Sequence, residues 1–471
     1  MAIEVYNTLA GKKEELSPLK EGEVRMYVCG VTVYNSSHIG HARSLLTFDI
    51  VYRYLKFLGF QVTFVRNFTD VDDKIIQRAK EEGVAAEAIA TRYIQEFNRD
   101  CSALGLLRPT HEPKATEHIP EMVSLIQRLV EKGAAYRVNG DVFFQVDRFP
   151  RYGKLSRRRL EELEAGARVE VDERKRSPMD FALWKASKEG EPSWESPWGK
   201  GRPGWHIECS AMSTKYLGQP FDIHGGGRDL VFPHHENEIA QSEAASGLPL
   251  ARYWLHNGFL EINEEKMSKS LGNFYTVKEI LERWEAPVLR HYFLSSHYRS
   301  PLDFSEQGLE EASKGVERIY ETIERLDRAL PSDEDTAEPE SEILNTFRQE
   351  MDDDFNTPKA MALIFDEVRA LNRILDGGKT KGLAARGQAL KVMGEVLGLL
   401  QEKPALFLKE KRERWLRKQG ISVESIEEAI RRRERARSGK KWQEADRIRK
   451  ELQERGIMLE DTPGGTIWKV R

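Results

Sequence analysis

The stretch His38-Ile39-Gly40-His41 places two imidazoles and a glycine where a predicted strand passes into a predicted helix. A helix N-terminus presents unpaired N–H donors and a partial positive charge, which together favour phosphate. Gly40 lets a nucleotide approach the backbone closely, and the imidazoles of His38 and His41 add donors for triphosphate oxygens. On its own, the stretch is equally compatible with an ordinary turn that carries two surface histidines.

A second stretch whose residues could take part in a reaction is Lys-Met-Ser-Lys-Ser at 266–270. It follows a strand-like segment at 258–262 and an acidic turn. Two lysines beside small hydroxyls on a loop could clamp a pyrophosphate as it leaves. An exposed basic loop without a ligand is the simpler alternative.

Two cysteines, a histidine and a glutamate have the side-chain types that bind zinc. His234 and Glu238 are four residues apart and therefore share one face of a helix. Cys29 stands near the carboxyl end of the first long predicted strand, where open α/β sheets place their sites. Cys209 is 180 residues away from it, so spacing alone favours two buried structural cysteines over a metal site.

The elements that must position these residues follow a βαβ pattern. Residues 24–32 read as a buried strand, and Leu45, Phe48, Tyr52 and Leu55 recur at helical spacing after Gly40. Residues 60–65 read as the next strand, which predicts a doubly wound parallel sheet of the α/β class. The segment 115–200, with a short strand pair around 141–146, reads as an insertion. The β/α pattern resumes near 221–224, with a helix from His234.

The last third of the chain is predicted to be mainly helical. Residues 331–342 contain two prolines and several acids, which predicts an exposed linker. A helix is expected to start at Asn356-Thr357-Pro358, because a polar cap precedes a proline in the first turn. The tail should hold two charged helical segments and end in a turn at 464–465.

Composition narrows the class of protein. The chain has 471 residues, 39% apolar and 32% charged, and no stretch approaches the roughly 20 apolar residues of a membrane span. The N-terminus lacks a secretory pattern and only three cysteines occur, so we expect a cytoplasmic protein without disulfides. Residues 401–471 carry 20 Lys/Arg against 13 Asp/Glu, a net +7 that leaves −11 for the rest. A basic tail suits a nucleic-acid backbone, although solvated charged helices have the same composition.

The motifs taken together resemble a known family. The His38–His41 stretch and the Lys-Met-Ser-Lys-Ser stretch more than 200 residues later resemble the paired HIGH and KMSKS motifs of class I aminoacyl-tRNA synthetases. The resemblance to the bacterial cysteinyl-tRNA synthetases is closer still and extends over the whole chain. The strings that carry it lie at 27–34, 204–210, 224–229, 234–238, 446–449 and 461–466.

This resemblance implies a set of site residues. Zinc would be held by Cys29, Cys209, His234 and Glu238, and would select a thiolate over the harder hydroxyl of serine. Substrate sulfur would make zinc five-coordinate or loosen a protein ligand, for which Glu238 is our expectation. Thr69 and Trp205 would line the cysteine pocket. ATP, accompanied by Mg²⁺, would lie across the HIGH turn, a loop at 225–227 and the KMSKS stretch. Its contacts would be His38, Gly40, His41, Gly225, Gly226, Asp229 and Lys269, and His38, His41, Lys266 and Lys269 would be catalytic.

The resemblance also implies the reaction and the domains. Cysteine and ATP would give cysteinyl-adenylate and pyrophosphate, and the cysteine would pass to the 3′-terminal ribose of tRNA(Cys), on a monomeric enzyme. A cysteine ligase with an amino-sugar acceptor and a non-catalytic tRNA-binding or zinc-structural protein are the alternatives. Expected units are the Rossmann-like catalytic halves 1–114 and 201–262, the insertion 115–200, the KMSKS junction 263–310, a tRNA-binding helical bundle 311–400 and an anticodon-reading module 401–471.

Overall fold

The computed structural model combines strands and helices through its first 300 residues and is mainly helical thereafter. It describes residues 2–157, 172–262, 265–266, 275–330, 337–378, 382–462 and 465–470. The strands described are β1 (Glu4–Asn7), β2 (Lys12–Glu15), β3 (Glu23–Thr32), β4 (Gln61–Thr69), β5 (Ala135–Val138), β6 (Asp141–Phe144), β7 (Phe181–Ala186), β8 (Gly201–Pro203), β9 (Phe221–Gly227), β10 (Ala251–Asn257), β11 (Leu260–Ile262), β12 (Glu265–Lys266), β13 (Leu302–Asp303), β14 (Ile457–Thr462) and β15 (Gly465–Val470). The α-helices described are α1 (Ile39–Phe57), α2 (Asp73–Glu82), α3 (Ala86–Ala103), α4 (Ile119–Glu131), α5 (Trp205–Leu217), α6 (Glu236–Ser246), α7 (Val277–Arg283), α8 (Ala286–Leu294), α9 (Glu306–Ala329), α10 (Ser341–Asp352), α11 (Thr357–Asp376), α12 (Leu383–Val396), α13 (Pro404–Gln419), α14 (Val423–Ser438) and α15 (Trp442–Glu454).

A four-stranded parallel sheet in the order β10-β9-β3-β4 forms the centre of the fold. The chain leaves β3 toward β4 and leaves β9 toward β10, so the sheet is built outward in opposite directions from its two middle strands. In sheets of this kind, ligands bind at the switch point, outside the carboxyl ends of the middle strands. The predicted doubly wound α/β fold is confirmed. A ligand is therefore expected at the carboxyl ends of β3 and β9.

Helix α1 crosses from β3 to β4 as the apolar period predicted. Phe48, Tyr52 and Leu55 are buried in the core, and Leu58 and Gly59 follow the last helical turn with Gly59 at φ 90°. A left-handed conformation suits glycine, since it has no Cβ. The helix therefore begins and ends where the sequence indicates, and its N-terminus faces the carboxyl end of β3.

The chain between α3 and α5 forms a second, antiparallel sheet in the order β5-β6-β7-β8, with α4 beside it. Its hairpin of β5 and β6 confirms the strand pair expected near 141–146. Buried residues of this sheet, such as Phe144 and Trp184, share one core with Ile207 and Ile239 of the helices next to the parallel sheet. Much of the charged run between β6 and β7 lies outside the described residues.

The helical part of the chain agrees with the sequence in outline. Helix α11 starts after Asn356, whose side chain accepts a hydrogen bond from the Lys359 N–H, and Ile364, Val368 and Leu371 are buried. Helix α10 already begins at Ser341, so the last residues of the predicted linker are helical. The tail contains α13, α14 and α15 followed by the hairpin of β14 and β15, which corrects the expectation of two helical segments. The domain boundaries given above stay predictions.

Among the described residues, no helix is both long enough and apolar enough to cross a membrane.

Candidate metal and nucleotide site

All four predicted metal ligands meet beside the switch point of the parallel sheet. Cys29 comes from β3, Cys209 from α5, His234 from the turn before α6 and Glu238 from the first turn of α6. One ligand atom from each lies within 4.8 Å of the other three. The Oε1 of Glu238 is 3.2 Å from Cys29 Sγ and 3.1 Å from His234 Nε2. The fold therefore joins two cysteines that are 180 residues apart in the sequence.

The environment of this cluster favours a bound cation. Cys209, His234 and Glu238 are buried and Cys29 is half-buried. Hydrogen bonding to Cys29 lowers the pKa of Cys209 to about 6 despite its burial. Burial disfavours the charged form of His234, but Glu238 and Cys209 raise its pKa to about 10. Burial likewise opposes the charged form of Glu238, yet His224 and His234 hold its pKa well below the usual range. Negative charge thus collects around the imidazole.

The donor set also fits zinc chemically. Two thiol sulfurs, one imidazole nitrogen and one carboxylate oxygen are the ligand types of tetrahedral zinc sites, whereas Mg²⁺ and Ca²⁺ prefer oxygen donors alone. Cys29 and Glu238 also form a second compatible group with His224 and His235. Because that group has one sulfur instead of two, the group with Cys209 is the better zinc site.

A set of buried or half-buried histidines around the cluster was missed by the sequence analysis. His224 Nε2 lies 2.9 Å from Glu238 Oε2, and His206 Nδ1 lies 2.9 Å from His234 Nδ1. His235 and His256 pair at 2.8 Å, and burial lowers the pKa of His256 to about 3. Imidazoles that hold a ligand by hydrogen bonds fix its orientation. The sequence feature that could have indicated these histidines is the abundance of histidine in residues 224–235, next to the predicted metal ligands.

The HIGH stretch forms the N-terminus of α1, as predicted. His38 precedes the helix, and its Nδ1 accepts from the His41 N–H at 3.3 Å, while His41 Nδ1 accepts from the His38 N–H at 3.3 Å. The two rings stack with centroids 3.6 Å apart. Burial and the neighbouring His38 lower the pKa of His41 to about 3. Since Nδ1 accepts, a neutral His41 ring carries its proton on Nε2 and is a donor there.

The glycines at 225–227 are part of strand β9, so the loop expected there is wrong. Gly225 and Gly226 pair with Leu255 and His256 of β10. A Cβ on Gly225 would lie 2.3 Å from the Phe48 ring, and one on Gly226 would lie 2.9 Å from the His235 ring. A strand glycine often marks such a close approach, which is the physical reason for the run. Asp229 is exposed just beyond the strand.

The two residues expected in the cysteine pocket lie around the metal cluster. The Trp205 ring stands 4.2 Å from the His234 ring and is 39% exposed, which is unusual for a large aromatic side chain. Thr69, at the carboxyl end of β4, is buried and donates to Glu208 Oε2 at 2.8 Å. Glu208 was not expected from the sequence; burial raises its pKa well above the usual range.

The KMSKS stretch is only partly described. The backbone of Lys266 belongs to β12, opposite Glu261 of β11, and Lys269 lies outside the described residues. The chain that follows returns to the HIGH turn, because Ile39 N–H donates to Tyr275 O at 3.1 Å and Val277 N–H donates to Ser37 O at 2.9 Å. The segment after the KMSKS stretch is therefore hydrogen-bonded to the predicted nucleotide site.

Comparison with known proteins identifies three regions. Residues 15–314 match the model for the class I (C) catalytic domain of tRNA synthetases, 346–401 match the DALR domain, and 423–468 match the cysteinyl-tRNA ligase anticodon-binding domain. A cysteine–tRNA ligase from Geobacter metallireducens is 57% identical over 100% of both chains, and one from Geobacter sulfurreducens is 56% identical, also over 100% of both.

A solved structure supports the same fold. The methionyl-tRNA synthetase of Mycobacterium tuberculosis bound by methionyl-adenylate aligns with a TM-score of 0.57 at 18% sequence identity, covering 80% of this chain and 90% of that one. At this identity, the likeness concerns the fold alone.

Proposed function

The chain belongs to the cysteine–tRNA ligase family of class I aminoacyl-tRNA synthetases, and from that premise we propose how its side chains select and activate cysteine. Its activity is the ligation of cysteine to tRNA. The anticodon-binding domain at 423–468 favours a tRNA acceptor over the amino sugar considered above. The full-length match to proteins named cysteine–tRNA ligases leaves the non-catalytic alternative without support.

We propose that Cys29, Cys209, His234 and Glu238 hold one zinc ion at the base of the amino-acid pocket. The observation that carries this proposal is the approach of their four ligand atoms to within 4.8 Å at the switch point of the sheet. When bound, zinc supplies a Lewis acid that favours the sulfur of cysteine over the hydroxyl of serine. His224, paired with Glu238 at 2.9 Å, keeps that carboxylate oriented, and Glu238 remains our expectation for the ligand that loosens.

The amino-acid pocket would be completed by two side chains. Trp205 covers the open side of the cluster, where its ring lies against His234, and excludes water from the sulfur. The Thr69 hydroxyl donates a hydrogen bond to Glu208, so a lone pair of its oxygen is available to accept from the substrate ammonium group. We therefore assign Thr69 to the amino group of cysteine and Trp205 to the side of the pocket that faces solvent.

ATP would lie at the N-terminus of α1 with Mg²⁺ as the counterion of its phosphates. The His41 imidazole, protonated on Nε2, donates to a phosphate oxygen without adding a positive charge, and Gly40 allows the backbone to approach. Gly225 and Gly226 would keep the end of β9 flat beneath the nucleotide, with Asp229 beside the ribose or adenine. Lys266 and Lys269 would stabilise charge on the α-phosphate and pyrophosphate.

No general base is needed for activation, because the cysteine carboxylate is already ionised at neutral pH and attacks the α-phosphorus directly. The bond to pyrophosphate breaks as the mixed anhydride of cysteine and AMP forms. The 3′-terminal ribose hydroxyl of tRNA(Cys) then displaces AMP. Because its acceptor is a tRNA, we propose that the enzyme acts in the cytoplasm. We also propose that it acts as a monomer.

The test is cysteine-dependent exchange of labelled pyrophosphate into ATP, with serine as the control amino acid, followed by charging of tRNA and a zinc count. We expect exchange with cysteine only, charging of tRNA(Cys) and one zinc per chain. Exchange with serine at a comparable rate would contradict selection by a metal-bound thiolate. Full exchange by metal-free protein would remove zinc from the proposal.

A further inference from the structure

The strand that carries Cys29 is interrupted opposite a single residue of the neighbouring strand. In the pairing of β3 with β4, Val28 lies opposite Arg66 and Val31 lies opposite Phe68. Two residues, Cys29 and Gly30, therefore face one, Asn67. A bulge of this kind changes the direction of a side chain at a functional site. Here it changes the direction of Cys29, one of the proposed metal ligands.

The side chain of Asn67 fills the space left by the bulge. Asn67 is 1% exposed, and its Oδ1 accepts from the Gly30 N–H at 2.8 Å. The bulged backbone thus keeps a hydrogen bond that the strand pairing no longer provides. The same oxygen accepts from Cys209 Sγ at 3.7 Å, and Cys209 belongs to α5, which packs on β4. One amide therefore contacts the elements that bear both thiol ligands.

The other end of the amide contacts the cysteine pocket. Asn67 Nδ2 donates to Thr69 Oγ1 at 3.5 Å, while Thr69 Oγ1 donates to Glu208 Oε2 at 2.8 Å. The hydroxyl proton of Thr69 is directed to Glu208, and one lone pair of its oxygen is directed to Asn67. These two hydrogen bonds fix the rotamer of Thr69. The amide of Asn67 thus supplies an acceptor for Gly30 and a donor for Thr69 at once.

The backbone around Asn67 has no freedom to adjust. A Cβ on Gly30 would lie 1.6 Å from the carbonyl oxygen of Asn67, so the strands approach more closely than any other residue at 30 would allow. The amide of Asn67 is thereby held at one distance from the bulge, and a shift of this side chain would move Cys29 or Thr69.

We propose that Asn67 is a positioning residue for cysteine selection, which acts through Cys29, Cys209 and Thr69 and touches neither ATP nor tRNA. The inference rests on the proposed function for the role of Thr69, and on the fold alone for the spacing of the two thiols. It assigns the acceptor oxygen to metal affinity and the donor nitrogen to recognition of the amino acid. These two roles can be separated by substitution.

The test uses two variants and one control in the full chain. Asn67→Ala removes both contacts, whereas Asn67→Asp keeps an oxygen toward Gly30 and removes the donor toward Thr69. Asn372→Ala is the matched control, since Asn372 Nδ2 also donates to a threonine hydroxyl, at 2.7 Å, but in the helical bundle. The measurements are zinc affinity by chelator competition, the visible spectrum with Co²⁺, the Tm, and the KM for cysteine in pyrophosphate exchange.

Asn67→Ala should weaken zinc binding by about 10- to 100-fold and change the sulfur-to-cobalt charge-transfer band. Asn67→Asp should bind zinc at least as tightly as the wild type but raise the KM for cysteine by about 3- to 10-fold. Asn372→Ala should leave all of these unchanged. A general loss of structure would lower the Tm of both Asn67 variants without this split between metal affinity and KM.

The proposal is overturned if Asn67→Ala keeps the wild-type zinc affinity, cobalt spectrum and KM. It is equally overturned if Asn67→Asp and Asn67→Ala change metal affinity and KM in parallel. Failure of the wild type to exchange pyrophosphate with cysteine would refute the proposed function instead, and the zinc and cobalt measurements would still test the position of the two thiols.

Discussion

Arg290 of α8 is the residue whose replacement should most clearly show how the catalytic sheet and the helical part of the chain are held together. Its guanidinium is 1% exposed and lies 2.7 Å from Asp49 of α1. It also donates to the carbonyl oxygens of Leu104, Gly105 and Leu397 at 3.3–3.4 Å. One side chain therefore bridges α1, the end of α3 and the end of α12.

The stability that Arg290→Met should lose depends on which partners of the guanidinium are left without a hydrogen bond or ion pair. Asp49 retains Arg53 at 2.7 Å and the Leu107 N–H at 2.8 Å, so its charge stays partly compensated. Gly105 O retains Arg53 and Gln401. The bonds that are lost without replacement are those to the carbonyl oxygens of Leu104 and Leu397 and the ion pair with Asp49. We therefore expect the variant to lose about 3 kcal/mol of stability, the lower end of the range for breaking a buried ion pair.

The assay is thermal unfolding followed by circular dichroism. A cooperative unit of roughly 300 residues has an unfolding entropy near ~0.6 kcal/mol/K, so about 3 kcal/mol lowers the Tm by about 5 °C. The control is Arg325→Met, because Arg325 and Asp376 form an ion pair at 2.5 Å whose side chains are 42% and 69% exposed. Removal of such a pair costs about 0–1 kcal/mol.

The double variant Asp49→Asn with Arg290→Met gives the second check. Asp49→Asn alone leaves a buried guanidinium without its anion and should cost more than Arg290→Met. The two changes together should cost at least about 1 kcal/mol less than their sum, as expected for residues in direct contact. A Tm for Arg290→Met within about 1 °C of the wild type, or additive effects in the double variant, would refute this reasoning.

Three further outcomes are expected. Lys269→Ala should lower pyrophosphate exchange by about 100- to 1000-fold with an unchanged zinc count; exchange near the wild-type rate would remove Lys269 from the site. Zinc binding should release about two protons at pH 7.5, since His234 (pKa about 10) and Cys29 (pKa raised by burial) are protonated in the metal-free protein. Calorimetry in buffers of different ionisation enthalpy counts these protons, and the apparent zinc affinity should rise with pH. Asp100→Asn should leave the Tm unchanged at pH 4 and raise it at pH 8, where the variant should be more stable than the wild type by about 1 kcal/mol after allowance for solvent screening. Burial and Glu96 raise the pKa of Asp100 from 3.8 to about 6, so the wild type loses stability as the pH rises between these two values. Equal Tm values of the two proteins at pH 8 would contradict this.

The features that the sequence predicted are those decided within a few residues of the chain. The cap of α1 at His38, the start of α11 at Asn356 and the shared face of His234 and Glu238 depend on local geometry alone. The parallel sheet could also be predicted, because its buried strands alternate with an amphipathic helix.

The features that were missed depend on contacts between distant segments. Nothing in the spacing of Cys29 and Cys209 shows that β3 and α5 converge, and the resemblance to a family supplied that pairing. The glycines at 225–227 were predicted as a loop, since glycine runs are typical of turns. Their actual role depends on the rings of Phe48 and His235, which approach β9 only in the folded protein.

A single strand links the two halves of the chemistry. Cys29 lies in β3 and His38 lies nine residues later, at the N-terminus of the helix that β3 leads into. The proposed metal ligand and the proposed nucleotide turn are therefore positioned by the same segment, and the bulge opposite Asn67 is where that segment departs from regular strand geometry. Because the departure occurs between the two, a change in the bulge alters the position of Cys29 relative to the phosphates as well as relative to Cys209. The proposed selection of the thiol and the proposed alignment of the cysteine carboxylate for attack therefore depend on one backbone conformation, at the point where a Cβ on Gly30 would lie 1.6 Å from the carbonyl oxygen of Asn67.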